Sequence, residues 1–153
     1  MFFKNSIENI KSRKIKMFVD MDGVIADYVV GSAKDYDKKR PLTSNIKQLE
    51  EISKMSNVGL YILSVSRMNE GVAQKNNWLD INAPFFKKEN RVIISRELNQ
   101  FKKSVTLKCD FVKSIEREED CTIIIIDDDC QILKELQSQN DDIILYKDTV
   151  FID

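Results

Sequence analysis

Five apolar runs punctuate this chain, and each reads as a strand. They cover residues 16–20, 58–64, 91–95, 122–127 and 142–147. The fourth is the plainest. Thr122-Ile123-Ile124-Ile125-Ile126 holds four consecutive isoleucines, so both its faces need cover, as in a central strand between two layers of helices. Between the runs the pattern turns helical. Ile46, Leu49 and Ile52 recur at i, i+3 and i+6 in a segment near 44–56, and Ile132, Leu133 and Leu136 follow the fourth strand. The segment Lys108–Ile115 reads as the start of a helix leading into the isoleucine strand, with Lys108 in its first turn. Residues before about Lys14 read as a short helix or arm, and 97–107 carries no assignable period, with its lysines read as lying in a loop. Strands alternating with helices imply right-handed crossovers and a mostly parallel five-stranded sheet, an α/β Rossmann-like three-layer sandwich.

Two of these strands end in acid. In Phe18-Val19-Asp20-Met21-Asp22-Gly23 the side chains of Asp20 and Asp22, two residues apart on an extended segment, face one small volume. Gly23 lets the backbone turn sharply just beyond them. Crowded carboxylates raise each other's pKa unless a cation or a proton lies between them. A divalent metal satisfies them, and so does one ionised nucleophile beside a protonated neighbour. The isoleucine strand ends in Asp127-Asp128-Asp129, again at the carboxyl edge of a sheet, where open α/β folds bind ligands. Asp127 and Asp128 are both candidate cation ligands, and Asp129 reads as the N-cap of the next helix. The run Leu60-Tyr61-Ile62-Leu63-Ser64 closes on a hydroxyl, with Ser66 as its alternate.

The stretch Asp20-Met21-Asp22-Gly23-Val24-Ile25-Ala26-Asp27 resembles the first motif of the haloacid dehalogenase (HAD)-like hydrolases, D-x-D-G-V after apolar residues. Its Gly-Val-Ile-Ala-Asp tail is most similar to the 5'(3')-deoxyribonucleotidase branch and its bacterial and phage relatives. The resemblance implies that Asp20 is the nucleophile and Asp22 the general acid/base. It implies that Ser64, or Ser66, hydrogen-bonds the phosphoryl group. A lysine that neutralises the phosphoryl oxygens is implied at Lys108, in a Lys-x-Asp-Phe pattern, or at its alternate Lys75, in a Lys-x-x-Trp stretch. Asp127 and Asp128 resemble the magnesium-binding motif, with Asp20, Asp22 and the Met21 carbonyl completing an oxygen shell for Mg2+.

The implied activity is magnesium-dependent phosphomonoester hydrolysis through an aspartyl-phosphate, on a small phosphorylated substrate such as a nucleotide, as in a 5'-nucleotidase. Two alternatives stand beside it: a phosphatase for phosphorylated polymers or proteins, and a non-catalytic binding module of the same fold. The interval between Asp22 and Ser64 is too short for the helical cap of the deoxyribonucleotidases. Residues 28–43 leave room for a minimal cap at most, so the expected site is open.

Composition narrows the field. At 153 residues the chain fits one domain, 1–153. A formal charge of −1 makes no strong case for nucleic acid through bulk electrostatics. Lysine and arginine cluster at Lys11–Lys14 and Lys38–Arg40, which read as solvated faces. The absence of histidine excludes Ser-His-Asp triads and histidine-rich zinc sites. Cys109, Cys121 and Cys130 have no metal-ligand spacing and are odd in number, as expected of reduced thiols in a cytoplasmic protein. No run reaches membrane-spanning length, and the N-terminus lacks the features of a secretory signal.

Overall fold

Strands β1 (Lys14–Val19), β2 (Val58–Ser66), β3 (Arg91–Ser95), β4 (Cys121–Asp127) and β5 (Ile143–Lys147) form one parallel sheet in the order β3-β2-β1-β4-β5. The structure, a computed structural model, describes residues 2–28 and 35–152. Each expected strand is present within a few residues of its predicted position. The helices are α1 (Phe2–Glu8), α2 (Thr43–Ser53), α3 (Glu70–Asn82), α4 (Ser104–Ser114) and α5 (Cys130–Gln139).

The isoleucine run explains the layering. Ile124 and Ile126 enter a core with α1, α2 and α3, whereas Ile123 and Ile125 enter a second core with α4 and α5. β1 alternates in the same way, with Ile15, Met17 and Val19 on one face and Phe18 on the other. Fully burying each of these side chains contributes about 1.5–3 kcal/mol. Right-handed crossovers account for the split: the chain steps from β1 to β2 to β3 in one direction, then returns past β1 to β4 and β5. That reversal opens a crevice at the carboxyl ends of β1 and β4. Register then brings the acids together, since Val19 pairs with Ile126 and the Asp20 N–H donates to the Ile126 carbonyl at 3.0 Å.

Two expectations need correction. β2 runs on to Ser66, so Ser64 is an interior strand residue, because the Val65-Ser66 pair still ladders with β3. α4 begins at Ser104, which puts Lys108 in the second turn rather than the first. Its N-cap, Lys103, makes no side-chain cap bond, so the sequence carried no start signal there. The segment 97–107 is part loop and part helix, with a short 3-10 turn at Glu97–Asn99 before α4. The N-terminal arm is a docked helix: Phe3 is buried and meets Tyr146 and Phe151 edge-on, each at 5.2 Å. Of the minimal cap expected at 28–43, residues 29–34 lie outside the described residues. The part that follows holds a 3-10 turn, Tyr36–Lys38, whose Tyr36 ring packs edge-on to Trp78 at 6.2 Å.

Candidate functional site

The turn after β1 organises the site. The Met21 carbonyl accepts from the N–H groups of Val24, Ile25 and Ala26 at 3.2, 2.9 and 2.9 Å. It is therefore committed to the turn rather than free to serve as the expected cation ligand. Gly23 has φ +80°, and a Cβ there would collide with the Asp128 carboxylate. Glycine thus serves both the backbone angle and the close approach of the second acidic strand.

On the β4 side of this turn, carboxylates outnumber cations. Oxygens of Asp20, Asp127 and Asp128 all lie within 4.8 Å of one another. The buried Lys108 ammonium stands among them, 3.0 Å from Asp20 Oδ1 and 2.6 Å from Asp127 Oδ2. The second Asp127 oxygen accepts from the Asp129 N–H at 3.0 Å, while Asp129 caps α5 through the Gln131 and Ile132 N–H groups. Burial, with the neighbouring Asp127 charge adding to it, outweighs Lys108 and pushes Asp20 up to about 7. Burial and Asp127 push Asp128 up to about 6. Lys108 is held above the usual lysine range because Asp20 and Asp127 outweigh its burial.

On the β2 side, cations outnumber carboxylates. Asp22 Oδ1 accepts from Lys39 at 2.7 Å and Oδ2 from Lys75 at 3.1 Å. Lys75, buried on α3, also donates to Ser64 Oγ at 2.7 Å and to the Val65 carbonyl at 2.9 Å. Burial alone would raise Asp22, but Lys75 and then Lys39 hold it below the ordinary carboxylate range. Burial lowers Lys75 despite Asp22 and Asp20. Both ammonium groups lie over the Tyr36 ring, Lys39 at 4.6 Å and Lys75 at 5.1 Å. Tyr36 is itself buried, and burial and the Asp22 charge raise its hydroxyl above the usual phenol range.

Two cavities meet at Asp22. One, of about 320 Å³, is lined by Asp20, Tyr28, Lys108, Asp127 and Asp128. The other, of about 340 Å³, is lined by Tyr36, Lys39, Arg67, Met68 and Lys75. The structure thus gathers Asp20, Asp127, Asp128 and Lys108 on one side and Asp22, Ser64 and Lys75 on the other. Ser66 is turned away, donating to the Met68 carbonyl at 2.7 Å. Sequence reasoning missed Lys39 and Tyr36. Lys39 sits in a basic run that reads as a solvated face, yet its side chain is 10% exposed, against 75% for each of its neighbours Lys38 and Arg40. The one signal for it was Trp78, whose indole N–H donates to the Lys39 carbonyl at 2.9 Å and draws that segment over the site.

No family model and no curated protein matches this chain. Among solved structures, it is similar to a chain in the structure of the Pnkp1/Rnl/Hen1 RNA repair complex, with a TM-score of 0.66 and 15% sequence identity. The likeness is one of fold. It covers 91% of this chain and 45% of that one, so this chain spans less than half the length of its neighbour.

The oxygen-only donor set of Asp20, Asp127 and Asp128 suits a hard divalent cation such as magnesium. The raised pKa values of Asp20 and Asp128 are what such a cation would relieve. Among the described residues, no helix is long and apolar enough to cross a membrane.

Proposed function

We propose that this protein is a phosphatase of HAD-like type, hydrolysing phosphomonoesters through an aspartyl-phosphate on Asp20. One observation carries the reading: a carboxylate-rich pocket and a cation-rich pocket share the single turn Asp20-Met21-Asp22. The first offers a divalent cation its ligands, and the second offers a phosphoryl group its counter-charges. Asp20, Asp127 and Asp128 would hold magnesium, which when bound supplies positive charge to the phosphoryl oxygens and favours ionised Asp20.

The chain's own residues do the rest. Asp20 attacks phosphorus in line as a carboxylate, forming the acyl phosphate as the ester oxygen leaves. Lys108 keeps the Asp20 carboxylate oriented, and Lys75 and Ser64 stabilise the charge that develops on the phosphoryl oxygens. Asp22 donates its proton to the leaving oxygen, then takes one from the water that attacks the acyl phosphate. Without ligand, Lys39 and Lys75 hold Asp22 ionised, the state suited to the second step. A bound phosphate dianion gives Lys75 a competing acceptor, which lets Asp22 take up the proton that the first step needs.

The deciding experiment is hydrolysis of an aryl phosphate in magnesium and in EDTA, beside Asp20→Asn. Magnesium-dependent turnover that vanishes in the variant is expected. A folded, magnesium-binding protein without turnover would point instead to a binding module. A nucleotidase and a phosphatase for polymer ends share this chemistry. The similarity in fold to a chain from an RNA repair complex favours the second, as does the open site expected from the short interval between Asp22 and Ser64.

A further inference from the structure

The loop between β3 and α4 is built to hold an apolar ring in water. Gln100 and Phe101 are consecutive non-glycine residues with left-handed φ of 57° and 53°, a conformation that ordinary side chains avoid. The loop keeps it because Arg96 turns inward. Its Nε donates to the Lys102 carbonyl at 2.8 Å and its Nη2 to the Phe101 carbonyl at 3.0 Å, while the Phe101 N–H returns to the Arg96 carbonyl at 2.7 Å. Phe101 is left 49% exposed, followed directly by the exposed Lys102 and Lys103. Neither lysine forms an ion pair with a described residue.

This loop is fastened to the site. The Arg96 N–H donates to the Ser66 carbonyl at 2.8 Å, and the Glu97 N–H to the Arg67 carbonyl at 3.1 Å. Arg67 lines the cavity beside Asp22, and Ser104, which follows Lys103, lines the cavity over Asp20. A continuous rim therefore leads from the reacting centre to Lys103, Lys102 and Phe101. The same rim carries Glu97, which accepts from the Asn69 N–H at 2.8 Å, and Glu70. Beyond β4 the opposite flank carries Asp128, Asp129 and, after β5, Asp148. On the first flank Arg67, Lys102 and Lys103 outnumber Glu70 and Glu97, and on the other Asp128, Asp129 and Asp148 outnumber Lys147. A net charge of −1 does not cancel this, because exposed charges are screened within about 10 Å at 0.1 M salt.

Cations in sequence with an exposed ring, beside a centre for a terminal phosphate, match the chemistry of a single strand: phosphates for the lysines and a base to stack on the phenyl face. We infer that this flank holds single-stranded nucleic acid whose terminal phosphate enters the Asp20 site, so that the substrate is a polynucleotide end rather than a free nucleotide. The inference rests on the phosphatase reading for its chemistry, but binding tests it separately. Fluorescence anisotropy in EDTA should show a short, terminally phosphorylated single-stranded oligonucleotide binding at least tenfold tighter than the matching mononucleotide. Phe101→Ala should weaken that binding about tenfold, the scale of one stacked base. Lys102→Ala with Lys103→Ala should reduce the slope of log Kd against log salt by about 1.4, two phosphate contacts at about 0.7 each. Aryl phosphate turnover should be unchanged in all three substitutions. Equal binding of mononucleotide and oligonucleotide, or a phosphopeptide that binds as tightly and is equally sensitive to Phe101→Ala, would overturn the inference and leave the phosphatase reading standing. Tight oligonucleotide binding without hydrolysis of any phosphomonoester would sink the phosphatase and leave the strand-binding flank.

Discussion

The two sides of the Asp20–Asp22 turn are built from the same parts and weighted oppositely. Around Asp20, three carboxylates share one lysine; around Asp22, one carboxylate is held by two lysines. The first side is short of positive charge and drives its acids toward protonation. The second has charge to spare and keeps its acid ionised. Buried charge is tolerated only when paired, so each side is incomplete in the way that a cation and a phosphate together would complete. The lesson is that sign, not simply charge density, separates a cation-accepting pocket from an anion-accepting one, across a single residue of backbone.

The largest expected effect is chemical. Asp20→Asn keeps the shape of the acidic side and removes its nucleophile, so turnover should fall by about a thousandfold or more while the circular dichroism spectrum is unchanged. Next comes Lys108→Met, which leaves Asp20 and Asp127 buried together without their ammonium. Chemical denaturation should show a loss of about 3–5 kcal/mol, partly restored by magnesium. An unaltered midpoint would mean that the acidic side is not short of positive charge at all.

Magnesium should stabilise the wild-type protein by about 2.7 kcal/mol at a hundredfold excess over its Kd, read as a rise in Tm. Asp128→Asn should remove most of that rise. Titration gives a fourth measure. Asp20 binds its proton more tightly folded than unfolded, so its contribution to stability is greatest at low pH and falls as pH rises from about 3.8 to about 7. Metal-free protein should therefore lose stability across that window, and Asp20→Asn should flatten the loss. The smallest effect belongs to the other side. Lys39→Met takes one of two cations from Asp22 and raises its pKa, so the alkaline limb of the activity profile should move up by about one pH unit or less.

Much of the architecture could be read in the sequence because its signals are local. Four isoleucines in a row demand cover on both faces, and Gly23 beside two acids demands a turn. Asp129 announces α5 through its own side chain, which accepts from two N–H groups of the first turn. Lys108 and Lys75 were both singled out, but their division of labour was not legible, since spacing does not show which strand end each ammonium reaches. Lys108 meets Asp20 and Asp127 only because α4 starts four residues earlier than its sequence suggests. Lys39 was hidden for a different reason: its burial depends on Trp78, far along the chain, and no local pattern distinguishes it from Lys38 or Arg40.

The strand order also sets a clock. Asp20 reaches its acidic partners only through the β1–β4 register, so roughly a hundred residues must be synthesised between them, about 5–20 seconds of translation. Until β4 arrives, a nascent chain carries Asp20 as an ordinary solvated acid with no claim on a cation. Any affinity for a cation at this site then waits on β4, and a truncated product ending before Asp127 would have the sheet's first three strands without it.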